Sequence, residues 1–286
     1  MAGAAPVVFV LLWSTGFIVA RYGTRDAGPL TFLTLRMFVA AAVLWIVATV
    51  TDAPRLDRDQ ARWASVTGLG LHAVYLGGVF VAADWGLPSG LSALIAGLHP
   101  VLTSVAALLL LGEGLRRSQW WGVALGVAGV VAVVVDRTSA GIGGITVGAL
   151  VAMAISVLGM SSGTLVQRAK GSAMPLLRGT AVQYVSAGVV LAVGAAVHEG
   201  FEFEATSRFW WSLAWAVGVL SIAAVLIMLW LLQRRAAARV SSLFFLTPAL
   251  STLEGAVLFD ERLGPLALVG LVVALVGVAL TTRTST

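Results

Sequence analysis

Apolar residues in this chain come in runs of about 20, separated by short breaks rich in charged residues, Gly and Pro. A helix rises about 1.5 Å per residue, so each run is long enough to cross roughly 30 Å of hydrocarbon. Setting runs against breaks predicts helices over residues 5–22, 30–50, 63–83, 89–111, 117–135, 144–166, 175–197, 209–232, 237–259 and 265–282. The pattern therefore predicts an all-α integral membrane protein with ten transmembrane helices. Its longest breaks, 51–62 and 198–208, leave little room for an extramembrane domain, so function is expected between the helices. The first run has no basic segment before it and no small-residue cleavage site after it, and is read as a retained helix.

The pattern also repeats. Leu98-His99-Pro100-Val101-Leu102-Thr103, followed by Gly112-Glu113-Gly114-Leu115, returns 148 residues later as Leu246-Thr247-Pro248-Ala249-Leu250-Ser251 and Asp260-Glu261-Arg262-Leu263. The same shift carries Gly122 onto Gly270 and Gly129 onto Gly277, and a shift of 146 carries Ala27 and Pro29 onto Ala173 and Pro175. This predicts two copies of a five-helix unit, 1–138 and 139–286. Five is odd, so the second copy enters the bilayer from the opposite side and the repeat is inverted. Inverted repeats place a cargo site near the midplane between halves that rock against one another, which is a physical argument for transport.

Composition narrows the alternatives. Hydrophobic residues make up 59% of the 286 positions and charged residues 11%, which no soluble fold could bury. The chain has no Cys, which removes thiolate catalysis, disulfides and iron–sulfur clusters, and it carries no nucleotide-binding, zinc-hydrolase or nucleophile-elbow motif. No cofactor or metal is expected, and transport is expected to run on a gradient. The net charge of +5 comes from single or paired basic residues at run ends, with no patch that would suit nucleic acid. With the N-terminus inside, the cytoplasmic side collects twelve Lys and Arg and the other side five, Arg36 within a helix being left out, so both termini are expected in the cytoplasm.

Ionisable groups inside a span cost about 2.5–3.5 kcal/mol on insertion scales, so each is a candidate for function. Arg36 and Glu254 lie at similar depth, about seven residues from one end of their helices. They read either as a structural ion pair or as a shared site, in which the guanidinium meets a cargo carboxylate and the Glu takes a proton or a cargo amine. His72 and His99 fall near the midplane, as proton-coupling groups or as neutral core residues bonded to backbone. Pro100 and the symmetric Thr247-Pro248 are expected to kink their helices and open carbonyls to a cavity, or simply to bend them. Gln183 needs a polar partner, and Trp13, Tyr75, Tyr184 and Trp230 are the aromatics inside spans that could stack on cargo or only pack. Glu113 and Glu261, near the bilayer interface, read as caps or loop salt bridges rather than as coupling groups.

Trp13-Ser14-Thr15-Gly16-Phe17, Pro29-Leu30-Thr31-Phe32 with Arg36, and the segments Pro100 to Glu113 and Pro248 to Glu261 resemble the EamA family of the drug/metabolite transporter superfamily. The likeness spans nearly the whole chain as two tandem copies. It departs from the usual pattern in having Gly159-Met160 where the first copy has Trp13-Ser14, and in carrying His99 and Glu254. The resemblance implies a multi-pass protein of a bacterial inner membrane with a central cavity, exporting amino acids, related metabolites or drugs, often in exchange for protons. Its expected partners are the lipid bilayer, a small-molecule substrate and protons. Two other readings compete with a carrier. One is a membrane enzyme acting on lipid, with His72, His99 and Glu254 as its acid/base set. The other is a scaffold or sensor that transports nothing.

Overall fold

The computed structural model describes residues 5–99, 101–102, 105, 117–139, 145–171, 174–224, 227, 247–261 and 264–282, with 5–6, 137–139 and 281–282 described by their backbone alone. Among these the chain is helical, apart from one antiparallel bridge between Ala27 and Phe203. We label the helices α1 (Ala5–Gly23), α2 (Pro29–Val50), α3 (Arg58–Asp84), α4 (Ser89–Ala96), α5 (Arg117–Ser139), α6 (Val147–Lys170), α7 (Leu176–His198), α8 (Ser207–Trp215, continued by Ala216–Ala223), α9 (Thr247–Phe259) and α10 (Pro265–Thr282). Five of them are long and apolar enough to cross a membrane over their described residues: Pro29–Val50, Arg58–Asp84, Arg117–Asp136, Val147–Lys170 and Leu176–His198. Shorter apolar stretches, Val7–Gly23 and Pro265–Leu280, lie in α1 and α10.

Helix ends follow local chemistry more closely than hydrophobic length. The sequence reading starts the third helix at 63, but α3 begins at Arg58 because Asp57 and Gln60 form a capping box, each side chain bonding the other's backbone. It starts the sixth at 144 and ends it at 166, whereas α6 begins after Thr146, whose hydroxyl accepts from Ala149 N–H at 3.1 Å, and runs on to Lys170. Thr206 caps α8 in the same way through Phe209 N–H at 3.0 Å. At the end of α2, Asp52 adopts a left-handed conformation (φ 48°) that lets Ala53 N–H reach back to the Ala48 carbonyl at 2.8 Å. Both α3 and α8 carry a π-helical segment, Leu69–Val74 and Ala216–Ala223, whose first residues stand 147 positions apart. That offset lies within the sequence repeat.

Glycine lets the helices approach backbone to backbone. A Cβ added at Gly129 of α5 would lie 2.5 Å from the Gly270 carbonyl of α10, and one at Gly277 would lie 2.3 Å from Gly126 N. A Cβ added at Gly70, in the π segment of α3, would lie 2.8 Å from Gly163 Cα of α6. Large apolar side chains meanwhile point outward along α5 (Val127, Val131, Val135) and α10 (Val269, Val272, Val276). Such stripes suit hydrocarbon and would aggregate in water.

The connections give the molecule two ends. Residues 24–28, 85–88, 199–206, 260–261 and 264 meet at one end, tied together by the contacts described below, and α1 starts and α10 finishes at the other. We call the first the distal face.

Candidate functional site

A polar cluster forms where the two π segments face α2 and α7. Arg36 of α2 is buried, with only 6% of its surface exposed, and donates from Nε to Ser221 Oγ in the α8 π segment at 3.1 Å. Tyr184 of α7 donates to the Ser221 carbonyl at 3.2 Å. His72, in the π segment of α3, sits edge-on to the Tyr184 ring at 4.7 Å and within 3.3 Å of Gln183 Oε1, while Gln183 donates to Gln167 of α6 at 3.2 Å. Tyr75 is buried, and its carbonyl, at the end of the π segment, accepts from Ser156 at 2.7 Å. A π turn shifts the helical hydrogen-bond register and turns side chains to new azimuths, which is why such turns recur at functional sites. Here the α8 segment bonds the cation through Ser221, and the α3 segment is linked to Ser221 through His72 and Tyr184.

Arg36 and Glu254 form no ion pair. Glu254 of α9 instead receives the Ser14 hydroxyl of α1 at 2.6 Å on Oε1, and its Oε2 is buried with no hydrogen-bond partner among the described residues. Ser251, one turn earlier on α9, donates to the Ser14 carbonyl at 3.0 Å and fixes α1 against α9. The two polar centres adjoin through α1 and α8, since Gly16 lies against Leu220, the neighbour of Ser221. Among the described residues Arg36 makes one hydrogen bond, to a neutral hydroxyl, and pairs with no carboxylate. A guanidinium held this way inside a membrane helix is a ready receptor for an anion, because burying an unpaired charge is costly.

The other predicted residues fall elsewhere. Trp13 packs on Phe9 with ring centroids 5.6 Å apart. The His99 carbonyl accepts from Ser161 of α6 at 3.3 Å, just past a turn at residues 97–98 that interrupts the helical run of α4. Thr247 and Pro248 are buried at the start of α9, and the Thr247 hydroxyl has no partner among the described residues. Pro100, Glu113 and Trp230 lie outside the described residues. Glu261 is buried at the distal face, paired with Arg21 of α1, and accepts from Ser89 N–H and Ser89 Oγ, both at 3.0 Å, at the start of α4. Its carboxylate thus neutralises a cation and caps a helix N-terminus.

Sequence reasoning missed several partners. Ser14, Gln167 and Ser221 carry no charge to mark them. Asp26 and Arg208 form a bidentate pair, with Nε of Arg208 2.7 Å from Asp26 Oδ2 and Thr206 Oγ1 adding a bond at 2.9 Å. These bonds, the one from Arg208 foremost, hold the Asp26 carboxyl below the usual carboxylate range against the opposing effect of burial, and raise the Arg208 guanidinium in turn. Glu199 accepts from Leu30 N–H at 2.9 Å and from Thr31 N–H and Oγ1 at 2.7 Å, closing the start of α2. Pro29 at the first helical position was the available signal, since it marks an N-terminus whose following N–H groups need an acceptor.

A helical membrane protein that buries a cation between two π-turned helices has the makings of a carrier, and comparison with known proteins gives its class. The chain belongs to the EamA-like transporter family, whose model matches residues 4–135 and again residues 147–283. It is 26% identical over 283 residues to the Bacillus subtilis (strain 168) protein named "Uncharacterized transporter YvbV", covering 95% of this chain and 88% of that one. It is 26% identical over 277 residues to the Escherichia coli (strain K12) protein named "Uncharacterized inner membrane transporter YedA", covering 95% and 87%. To the Escherichia coli (strain K12) "Probable amino-acid metabolite efflux pump" it is 25% identical over 289 residues, covering 96% and 92%. A solved crystal structure shares the fold with a TM-score of 0.67 over 97% of this chain and 95% of the other, at 22% identity.

Proposed function

We propose that the protein is a secondary transporter that exports small metabolites, amino acids or their relatives foremost, by alternating access between two inverted five-helix halves. The observation that carries this reading is the linkage of two π segments, one repeat apart in sequence, to the buried Arg36, directly through Ser221 and by way of His72 and Tyr184, with no carboxylate paired to it among the described residues. Symmetry-related irregular helices lining a charged pocket are what an inverted-repeat carrier requires. In this reading Arg36 binds the anionic group of the cargo, Tyr75, Tyr184, His72 and Gln183 wall it, and Glu254 carries the coupling proton on its unpartnered oxygen. The efflux pump among the relatives supports both the direction and the cargo class. Both termini then face the cytoplasm of a bacterial inner membrane and the distal face looks outward, in keeping with the twelve-to-five distribution of Lys and Arg.

The test is flux in proteoliposomes under an imposed pH gradient, with a panel of radiolabelled amino acids. Counterflow of at least one of them, accelerated by the gradient and lost on Arg36→Gln, is the expected result. Absence of gradient-driven movement of any panel member, from protein shown by its melting curve to be folded, would overturn it.

A further inference from the structure

The distal face is closed in three layers. At the surface, the segments 24–28 and 199–208 are joined by the Ala27–Phe203 bridge, by Glu204 N–H donating to the Asp26 carbonyl at 2.6 Å, and by the Asp26–Arg208 pair. Beside them Arg21 meets Glu261. One layer down, Phe32 of α2, Phe80 of α3 and Phe209 of α8 form a plug without solvent exposure beyond 1%, Phe32 stacking on Phe80 at 5.5 Å and meeting Phe209 edge-on at 5.9 Å. Phe203, in the surface segment, stacks on Phe209 at 4.8 Å and couples the first layer to the second. The third layer is the Arg36 cluster itself, one helical turn beyond Phe32 on α2.

Both ion pairs found among the described residues lie on this face, and each joins a residue of the first half to one of the second. One joining segment also carries backbone strain, since Phe201, between Glu199 and Arg208, is a bulky non-glycine residue at φ 58°. Strained residues persist only where surrounding contacts hold them, and they cluster at switch regions. The Glu199 cap is of another kind, since it ties α2 to α7, which pack along one another. It behaves as a fixed strut.

We propose that Arg21–Glu261 and Asp26–Arg208 are paired latches of a distal gate. They close the Phe32–Phe80–Phe209 plug over the cargo site, and both must part for the site to open at that face. The proposal rests on the transporter reading only for its flux readout, and accessibility tests it separately. Because the chain has no Cys, a single Ser221→Cys beside Arg36, or Ser92→Cys at a buried position of α4, reports access to the interior without background. A membrane-impermeant maleimide is presented to each face in turn, with Phe203→Cys identifying the preparation that exposes the distal face. Adding Arg21→Gln and Arg208→Gln together is expected to raise distal labelling of the buried reporters about tenfold. Unchanged labelling in folded protein overturns the gate, whether or not transport is found. In the second arm, an oxidised Asp26→Cys, Arg208→Cys pair is expected to stop flux, and reduction to restore it. Flux that persists across the cross-link overturns the gate and leaves the transporter reading standing. If the unmodified protein moves nothing, that counts against the transporter reading, and the labelling still decides the gate.

Discussion

Ser14 of α1 and Glu254 of α9 meet at 2.6 Å through one carboxylate oxygen, while the other oxygen is buried and accepts from none of the described residues. The contact joins the first half of the chain to the second, and it gives a membrane-embedded acid one satisfied and one open position. An open, buried carboxylate oxygen is a place to hold a proton.

From this follows a prediction for Glu254→Gln. The amide keeps the hydrogen bond to Ser14 and the volume, and cannot titrate. Cargo binding and melting temperature are therefore expected to stay near those of the unmodified protein, while flux loses its response to a pH gradient. Ser14→Ala removes the hydrogen bond and leaves the acid, at a cost of about 1 kcal/mol, or roughly a fivefold change in rate at unchanged coupling. The check is initial flux with and without the gradient for each variant. A gradient response in Glu254→Gln equal to that of the unmodified protein would assign coupling to another group.

Arg36 leads to a prediction about geometry as well as charge. Its Nε is held by Ser221, so the face of the guanidinium left for cargo is oriented by one hydroxyl. Arg36→Lys keeps the charge and loses the planar fork, and is expected to weaken cargo affinity by at least about tenfold. Ser221→Ala keeps the fork and frees its orientation, at roughly fivefold, the worth of one hydrogen bond. Equilibrium binding of the amino acid identified by counterflow checks the order. Equal effects for the two variants would mean that charge alone matters there.

At the distal face the prediction concerns pH. The Asp26 carboxyl sits below its ordinary range in the folded protein, chiefly because Arg208 bonds to it. A carboxyl depressed by folding stabilises the fold above its unfolded value, about 3.9, and that contribution is lost as pH falls through the lower folded value. Asp26→Asn should therefore melt at lower temperature than the unmodified protein at pH 6, with the gap closing below about pH 4. Melting curves in detergent across pH 3–7 test it. A gap that does not narrow on acidification would mean that the pair contributes through shape rather than charge.

How much of this was readable in advance depended on the cost of each residue in its setting. Charged and amide groups inside apolar runs stand out because hydrocarbon penalises them, so Arg36, His72, Gln183 and Glu254 were visible in the sequence. Counting residues from a helix end gives depth but not azimuth, and Arg36 and Glu254, matched in depth, turn toward different partners. Ser14 and Ser221 were hidden because a hydroxyl in a helix can satisfy itself on a backbone carbonyl a turn earlier, as Thr34 does on Leu30 at 2.7 Å, so its presence implies nothing about a site. The π segments left no mark in the hydrophobic pattern. Only the repeat offset, read after the fact, ties Leu69 to Ala216.

The start of α2 offers the sharpest structural test. Glu199 fills the acceptor role for Leu30 and Thr31, and Gly28 stands so close that an added Cβ would lie 2.2 Å from Glu199 Oε2. Glu199→Ala leaves two helix N–H groups open and removes an anion from the positive end of the helix, a loss of about 1–2 kcal/mol. Gly28→Ala attacks the same contact from the other side, by expelling the carboxylate, and is expected to cost at least as much. The two losses share one cause, so they should not add. Once Glu199 is Ala, the methyl at position 28 has room, and the double variant should melt close to Glu199→Ala alone. Additive losses in the double variant would mean that Gly28 is needed for its own backbone and not for the carboxylate beside it.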